Sequence, residues 1–137
     1  MSMSSTRGED VAGSRGMGRA LNIALWILQI GIAVMFLVAS FPKLAGAEQA
    51  VAAFDQIGIG QWFRYVTGGL EALGAIALLI PRFVGLGALV LACVMVGAVA
   101  THLFVIGGSP VPALVFLVLT SIIAWARRDR TARLLAG

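Results

Sequence analysis

Residues 64–81 read RYVTGGLEALGAIALLIP, an almost wholly apolar run that carries one carboxylate, Glu71, near its middle. If this run crosses a bilayer, an ionisable group inside it is costly to keep there. Such a group faces the protein interior and marks a functional-site candidate by default. The other segments of the chain take their places around that residue.

The composition places the run in a membrane. Of the 137 residues, 60% are hydrophobic and 12% charged, and the mean hydropathy is +0.99. Soluble domains carry roughly 25% charged residues. The net charge of +4 does not point to nucleic acid, because binding it requires basic residues clustered on a solvated face. Here the basic residues flank apolar runs and read as topology signals. One cysteine, Cys93, rules out an intramolecular disulfide and a CxxC pair. One histidine, His102, rules out multi-histidine haem or copper sites, so no metal site is expected.

Upstream of the opening stretch, residues 1–19 are rich in Ser, Gly and Arg and are expected to form a disordered cytoplasmic tail. Leu21 to Phe41 is an apolar run of spanning length, the first transmembrane helix. Arg19 before it and Ala45-Gly46-Ala47 after it imitate a signal peptide, but the run exceeds the 7–15 residues of a signal h-region. Pro42 is expected to stop this helix. From Ala47 to Gly58, Val51, Phe54 and Ile57 share one side at helical spacing. Glu48, Gln49, Asp55 and Gln56 take the other, so a short amphipathic helix on the membrane surface is expected. Trp62, Phe63 and Tyr65 then form a headgroup-level aromatic cluster where the second span begins.

Downstream, Pro81-Arg82 is a tight connection between antiparallel neighbours, and Val84 to Val105 is a third span. In the next turn Ser109 is expected to cap, and Pro110 to open, a fourth span over Val111 to Trp125. Basic residues sit mainly in the N-tail (Arg7, Arg15, Arg19), after span two (Arg82) and beyond span four (Arg127, Arg128, Arg130, Arg133). The opposite side has only Lys43 and Arg64, so the positive-inside rule puts both termini in the cytoplasm. The expected fold is therefore all-α, a four-transmembrane-helix bundle with a short interfacial amphipathic helix between spans one and two. Its membrane domain runs over 20–128, followed by a basic tail over 129–137. Gly68 with Ala72, Ala88 with Ala92, and Cys93 with Gly97 supply small residues for close helix packing.

Helical rise of ~1.5 Å per residue sets Glu71 roughly 10 Å below the outer surface. His102 and Lys43 fall in the same leaflet, Thr67 lies one turn above Glu71, and Gln29 lies deeper. This placement is open to two main readings, with a partner-binding surface as the third. In one, Glu71 is a polar lock between helices, with Lys43 reaching the headgroups. In the other, Glu71, His102 and Lys43, with Thr67 and Gln29, line an outward cavity that holds a polar head such as a quinone ring, or relays a proton.

Four segments taken together resemble the DoxX-like family of small four-helix integral membrane proteins. They are LWILQIGIAVMFLVASFPKL, GGLEALGAIALLIP, MVGAVATHL and SPVPAL. The resemblance implies four spans with both ends cytoplasmic and recurring polar positions at Lys43, Glu71 and His102. Founding members are associated with a thiosulfate:quinone oxidoreductase and others with oxidative-stress complexes, while distant relatives act as chaperones or cargo receptors. Ser40-Phe41 stands where the familiar pattern more often has Gly. By that resemblance the chain is expected to be a lipid-embedded accessory to an oxidoreductase partner, not catalytic alone. The alternative is a non-enzymatic scaffold or assembly factor, and a homo-oligomer stays open.

Overall fold

The computed structural model describes Gly16 and residues 18–136, with the backbone of the helix that leads into them from Ser2. The backbone of the tail expected to be disordered over 1–19 is helical from Ser2, as the start of α1. Among the described residues every regular element is a helix. In order come α1 (Ser2–Ala45), α2 (Glu48–Ile57), α3 (Trp62–Leu78), α4 (Val84–Thr101) with a wider π-type turn (His102–Ile106), α5 (Val111–Ala126) and α6 (Arg128–Ala136).

Among the described residues, two helical stretches are long and apolar enough to cross a bilayer, Gly18–Ala45 and Val84–Ile106. A third is added if α5 and α6, bent by 59° at their junction, are taken as one span. Helix α3 has 17 residues. It ends early because the residue before a proline is pushed out of helical geometry. The chain tightens into short-range bonds, Leu79 N–H to Ile76 O at 3.0 Å and Ile80 N–H to Ala77 O at 3.1 Å, before Pro81.

Pro42 does not stop α1, contrary to expectation; the helix runs through it to Ala45. A proline inside a helix removes one N–H and disturbs the turn before it, and in apolar surroundings polar side chains can re-satisfy the exposed carbonyls. Here the Ser40 hydroxyl donates to Leu37 O at 2.9 Å and the Lys43 ammonium donates to Ala39 O at 3.2 Å. These bonds reach the carbonyls on either side of Val38 O, the one that the missing Pro42 N–H would have met, and so support the turn that the proline disturbs. Pro110 is also displaced by one position. It precedes α5 as its N-cap, and Ser109 accepts the Val111 N–H at 3.3 Å.

The inward face of α1 is a stripe with residues three or four apart: Leu25, Gln29, Ile32, Phe36 and Ser40, all buried. Its outward face, including Ile27, Val34, Val38 and Phe41, is exposed and apolar. Helix α1 packs mainly on α3, α3 on α4, and α4 on α5. Phe36 and Phe116 meet edge to face at 5.4 Å, joining α1 to α5. One apolar core, built on Ile32, Phe36, Ala75, Leu78, Ala88, Leu91 and Ile123, is shared by these four helices. Between α3 and α4, a Cβ added at Gly87 would lie 2.9 Å from Gly74 O, and one at Gly74 would lie 2.7 Å from Leu91 Cγ. Helix α2 folds as its pattern predicts, with Phe54 buried and Glu48, Gln49, Asp55 and Gln56 exposed.

Candidate functional site

Glu71 sits on the buried face of α3, with Arg64, Gly68, Gly74 and Leu78 on the same side. At 3% exposure the residue is withdrawn from the surface of the chain. Its Oε2 lies 3.1 Å from Lys43 Nζ on α1, an ion pair between residues 28 apart in sequence. A buried carboxylate needs such a partner, because an unpaired charge in a low-dielectric interior is expensive.

The approach of the two helices is set by Gly68, one turn before Glu71. A Cβ there would lie 3.0 Å from Lys43 Cβ and 3.1 Å from Leu44 Cγ. The small residue expected to serve helix packing therefore serves the ion pair directly.

Arg64 holds the same end of α1. Its place in the sequence suggests an outer-surface charge, yet it is buried. Its Nη1 donates to Lys43 O, its Nε donates to Gln61 Oε1 at 2.8 Å, and its guanidinium lies 4.3 Å from the Tyr65 ring centroid. A cation at a helix C-terminus satisfies carbonyls left without intrahelical donors. Its signal in the sequence was position, since Arg64 lies seven residues before Glu71 on a helix, hence on the same face.

The pair borders a cavity of about 970 Å3 lined by α1, α2, α3, α4 and α5. Apolar side chains such as Phe36, Phe54, Phe63 and Met95 make most of its wall. Lys43, Glu71, Thr67, Gln49, Thr101 and His102 provide its polar groups. Of the five residues expected at the site, Lys43, Glu71, Thr67 and His102 thus border one space. His102 stands where α4 widens into the π-type turn, and its Nδ1 lies 3.0 Å from Gly107 O. Its ring is bonded there and not to the carboxylate. Thr67 and Thr101 each donate to their own helix at 2.8 Å, to Phe63 O and Gly97 O.

Gln29 is not brought to this cavity. It is fully buried elsewhere on α1. Its Nε2 donates to Leu78 O at the end of α3, at 3.2 Å, and its Oε1 accepts from Arg127 Nε at 2.9 Å. Arg127 also donates from Nη1 to Asn22 Oδ1 at 2.9 Å. Arg127 reads in the sequence as one more charge beyond span four, yet it is only 6% exposed and ties α1, α3 and α5 together. The signal for this second cluster was Asn22 and Gln29, seven residues apart and so on one side of α1, with Gln29 on the buried stripe and Asn22 at its exposed end. Cys93 and Gly97, expected to pack between helices, are exposed and line the cavity instead.

Chemically, a wide apolar chamber with a charge-balanced polar end is suited to an amphiphile: an apolar body in the chamber, a neutral polar head against Lys43 and Glu71. Among known proteins, a family model described as the DoxX-like family matches residues 27–127. No curated protein matches the chain, and no solved structure matches it.

Proposed function

The chain belongs to the DoxX-like family and is a membrane protein, and from that premise we propose that it is the membrane subunit or accessory of a quinone-linked oxidoreductase or oxidative-stress complex. It spans the bilayer four times through α1, α3, α4 and α5, with α2 lying at the outer surface and both termini in the cytoplasm. The arginines at the α5 to α6 end and the amphipathic pattern of α2 support that arrangement.

The observation that carries the functional reading is the Lys43 and Glu71 pair opening on an apolar cavity. A quinone-pool molecule has the matching shape, a neutral oxygen-bearing ring on a hydrocarbon tail. The tail lies among Phe36, Phe54, Phe63 and Phe116, and the ring meets Lys43, Glu71 and His102. These residues bind and orient the head and exclude bulk water from it. With one cysteine and one histidine in the chain, the electrons are supplied by a partner protein, which docks on the membrane subunit.

The test is equilibrium binding of decylubiquinone, in both its oxidised and its reduced form, to the purified full chain in detergent. Saturable binding, weakened at least about tenfold by Glu71→Gln or His102→Ala, is the expected result; tenfold corresponds to about 1.4 kcal/mol. Binding that neither substitution changes, or no saturable binding at all, would remove this reading.

A further inference from the structure

Hydrogen-bond bookkeeping at the polar end of the cavity restricts what kind of head fits there. The Thr67 and Thr101 hydroxyls have one proton each and give it to a carbonyl of their own helix. Each therefore shows only lone pairs to the cavity. His102 Nδ1 faces Gly107 O at 3.0 Å. A carbonyl can only accept, so Nδ1 carries the proton, and in the neutral tautomer that this bond selects Nε2 holds a lone pair. Glu71 is paired through Oε2 to Lys43, which leaves Oε1 as a further acceptor. On the donor side, Lys43 uses two of its three N–H groups on Ala39 O and Glu71 Oε2 and retains one. Gln49, exposed on α2, adds an amide at the border of the cavity.

The inward side chains at this end thus offer acceptors from four residues against one spare ammonium donor, with the Gln49 amide, donor and acceptor both, at the border. Their charges cancel within the Lys43 and Glu71 pair, so an ionic head would introduce an uncompensated charge. A carbonyl or ether oxygen can answer the donors and none of the four acceptors, and acceptors left unanswered beneath a bound head weaken binding. A hydroxyl answers both: it takes a bond from Lys43 and gives one to Glu71, His102 or a threonine.

We propose that this cavity selects neutral amphiphiles whose head carries hydroxyl groups, and so takes the reduced, quinol form of a quinone-pool molecule in preference to the oxidised form. The inference rests on the amphiphile-binding reading of the cavity and adds the chemical state of the head. Two sources share that chemistry, aromatic quinols and aliphatic lipid alcohols.

The experiment uses the full chain in phosphatidylcholine nanodiscs under anaerobic conditions and compares probes that share a decyl tail. These are decylhydroquinone held reduced with dithionite, decylbenzoquinone, the 1,4-dimethyl ether of decylhydroquinone, and 1-decanol. At least about tenfold tighter binding of the hydroquinone than of its dimethyl ether is expected, the equivalent of one or two neutral hydrogen bonds. Tighter binding of the hydroquinone than of 1-decanol assigns the aromatic source, and the reverse assigns the lipid alcohol. Glu71→Gln replaces an acceptor-only group by an amide with donors and should reduce the hydroxyl advantage below about threefold. Should that variant fail to fold, the double variant Thr67→Val with Thr101→Val removes two acceptors and should reduce the same ratio. Equal or tighter binding of the benzoquinone or the dimethyl ether overturns the hydroxyl preference while leaving the amphiphile site standing. If none of the four probes binds, the site and the preference both fall.

Discussion

Lys43 on α1 and Glu71 on α3 hold each other at 3.1 Å across a helix crossing that Gly68 keeps narrow. The amine is partly exposed and the carboxylate almost wholly buried, with side-chain exposures of 24% and 4%. Removing the two partners should therefore have unequal consequences.

Lys43→Met leaves the Glu71 carboxylate without its cation. Breaking a fully buried pair costs about 3–5 kcal/mol; since Lys43 is partly exposed, about 1–3 kcal/mol is expected after discounting for screening. Lys43→Met with Glu71→Leu should recover most of that loss, because both charges are gone. Thermal unfolding in detergent measures both, and a double variant less stable than Lys43→Met would contradict the pairing.

Gly68→Leu forces side-chain atoms into the space held by Lys43 Cβ and Leu44. Overpacking of this kind costs about 1–3 kcal/mol, and it should weaken ligand binding by moving Lys43 from Glu71. Gly69→Ala next to it meets nothing within 4 Å and should change stability by less than about 0.5 kcal/mol. The pair of melting curves checks both expectations.

Arg127→Met should destabilise the fold by about 1–3 kcal/mol, the cost of leaving a buried acceptor unanswered, because the fully buried Gln29 Oε1 loses its donor, while the exposed Asn22 can turn to water. Arg128, exposed and stacked 4.2 Å from the Trp125 ring centroid, is the control. Arg128→Ala should cost less than about 1 kcal/mol, as expected of an exposed cation over a ring. Similar losses in the two variants would count against the polar cluster.

Membrane orientation is checked by cysteine labelling in intact cells in a Cys93→Ser background. A single cysteine at Gly108, between α4 and α5, should react with an impermeant maleimide, whereas one at Ala132 should react only after the cells are opened. The opposite pattern would reverse the topology.

The sequence carried much of this arrangement. Helix α2 was legible because its apolar side has one period throughout, and Glu71 because a lone carboxylate in an apolar run has few stable settings. Lys43 and Thr67 are placed beside it by helical geometry. Pro42 was misread because the turn it disturbs is supported by Ser40 and Lys43 at the neighbouring carbonyls, and where those side chains turn is not encoded in composition. Gln29 was misassigned for a related reason: depth along α1 is readable from helical rise, but the partner across the bundle is not. Arg127 sat among four arginines that serve topology, and only its packing against α1 separates it from Arg128, Arg130 and Arg133.

An amphiphile seated in the cavity with its head at Lys43 and Glu71 is the central claim, and site-resolved photolabelling tests it most directly. A decylhydroquinone carrying a diazirine on the ring, applied to the full chain in nanodiscs, should label peptides containing Thr67, Leu70 or His102, and excess unlabelled ligand should abolish the labelling. Labelling confined to outward positions of α1 such as Ile27 and Val34, unaffected by competitor, would contradict the site and leave an anchored scaffold.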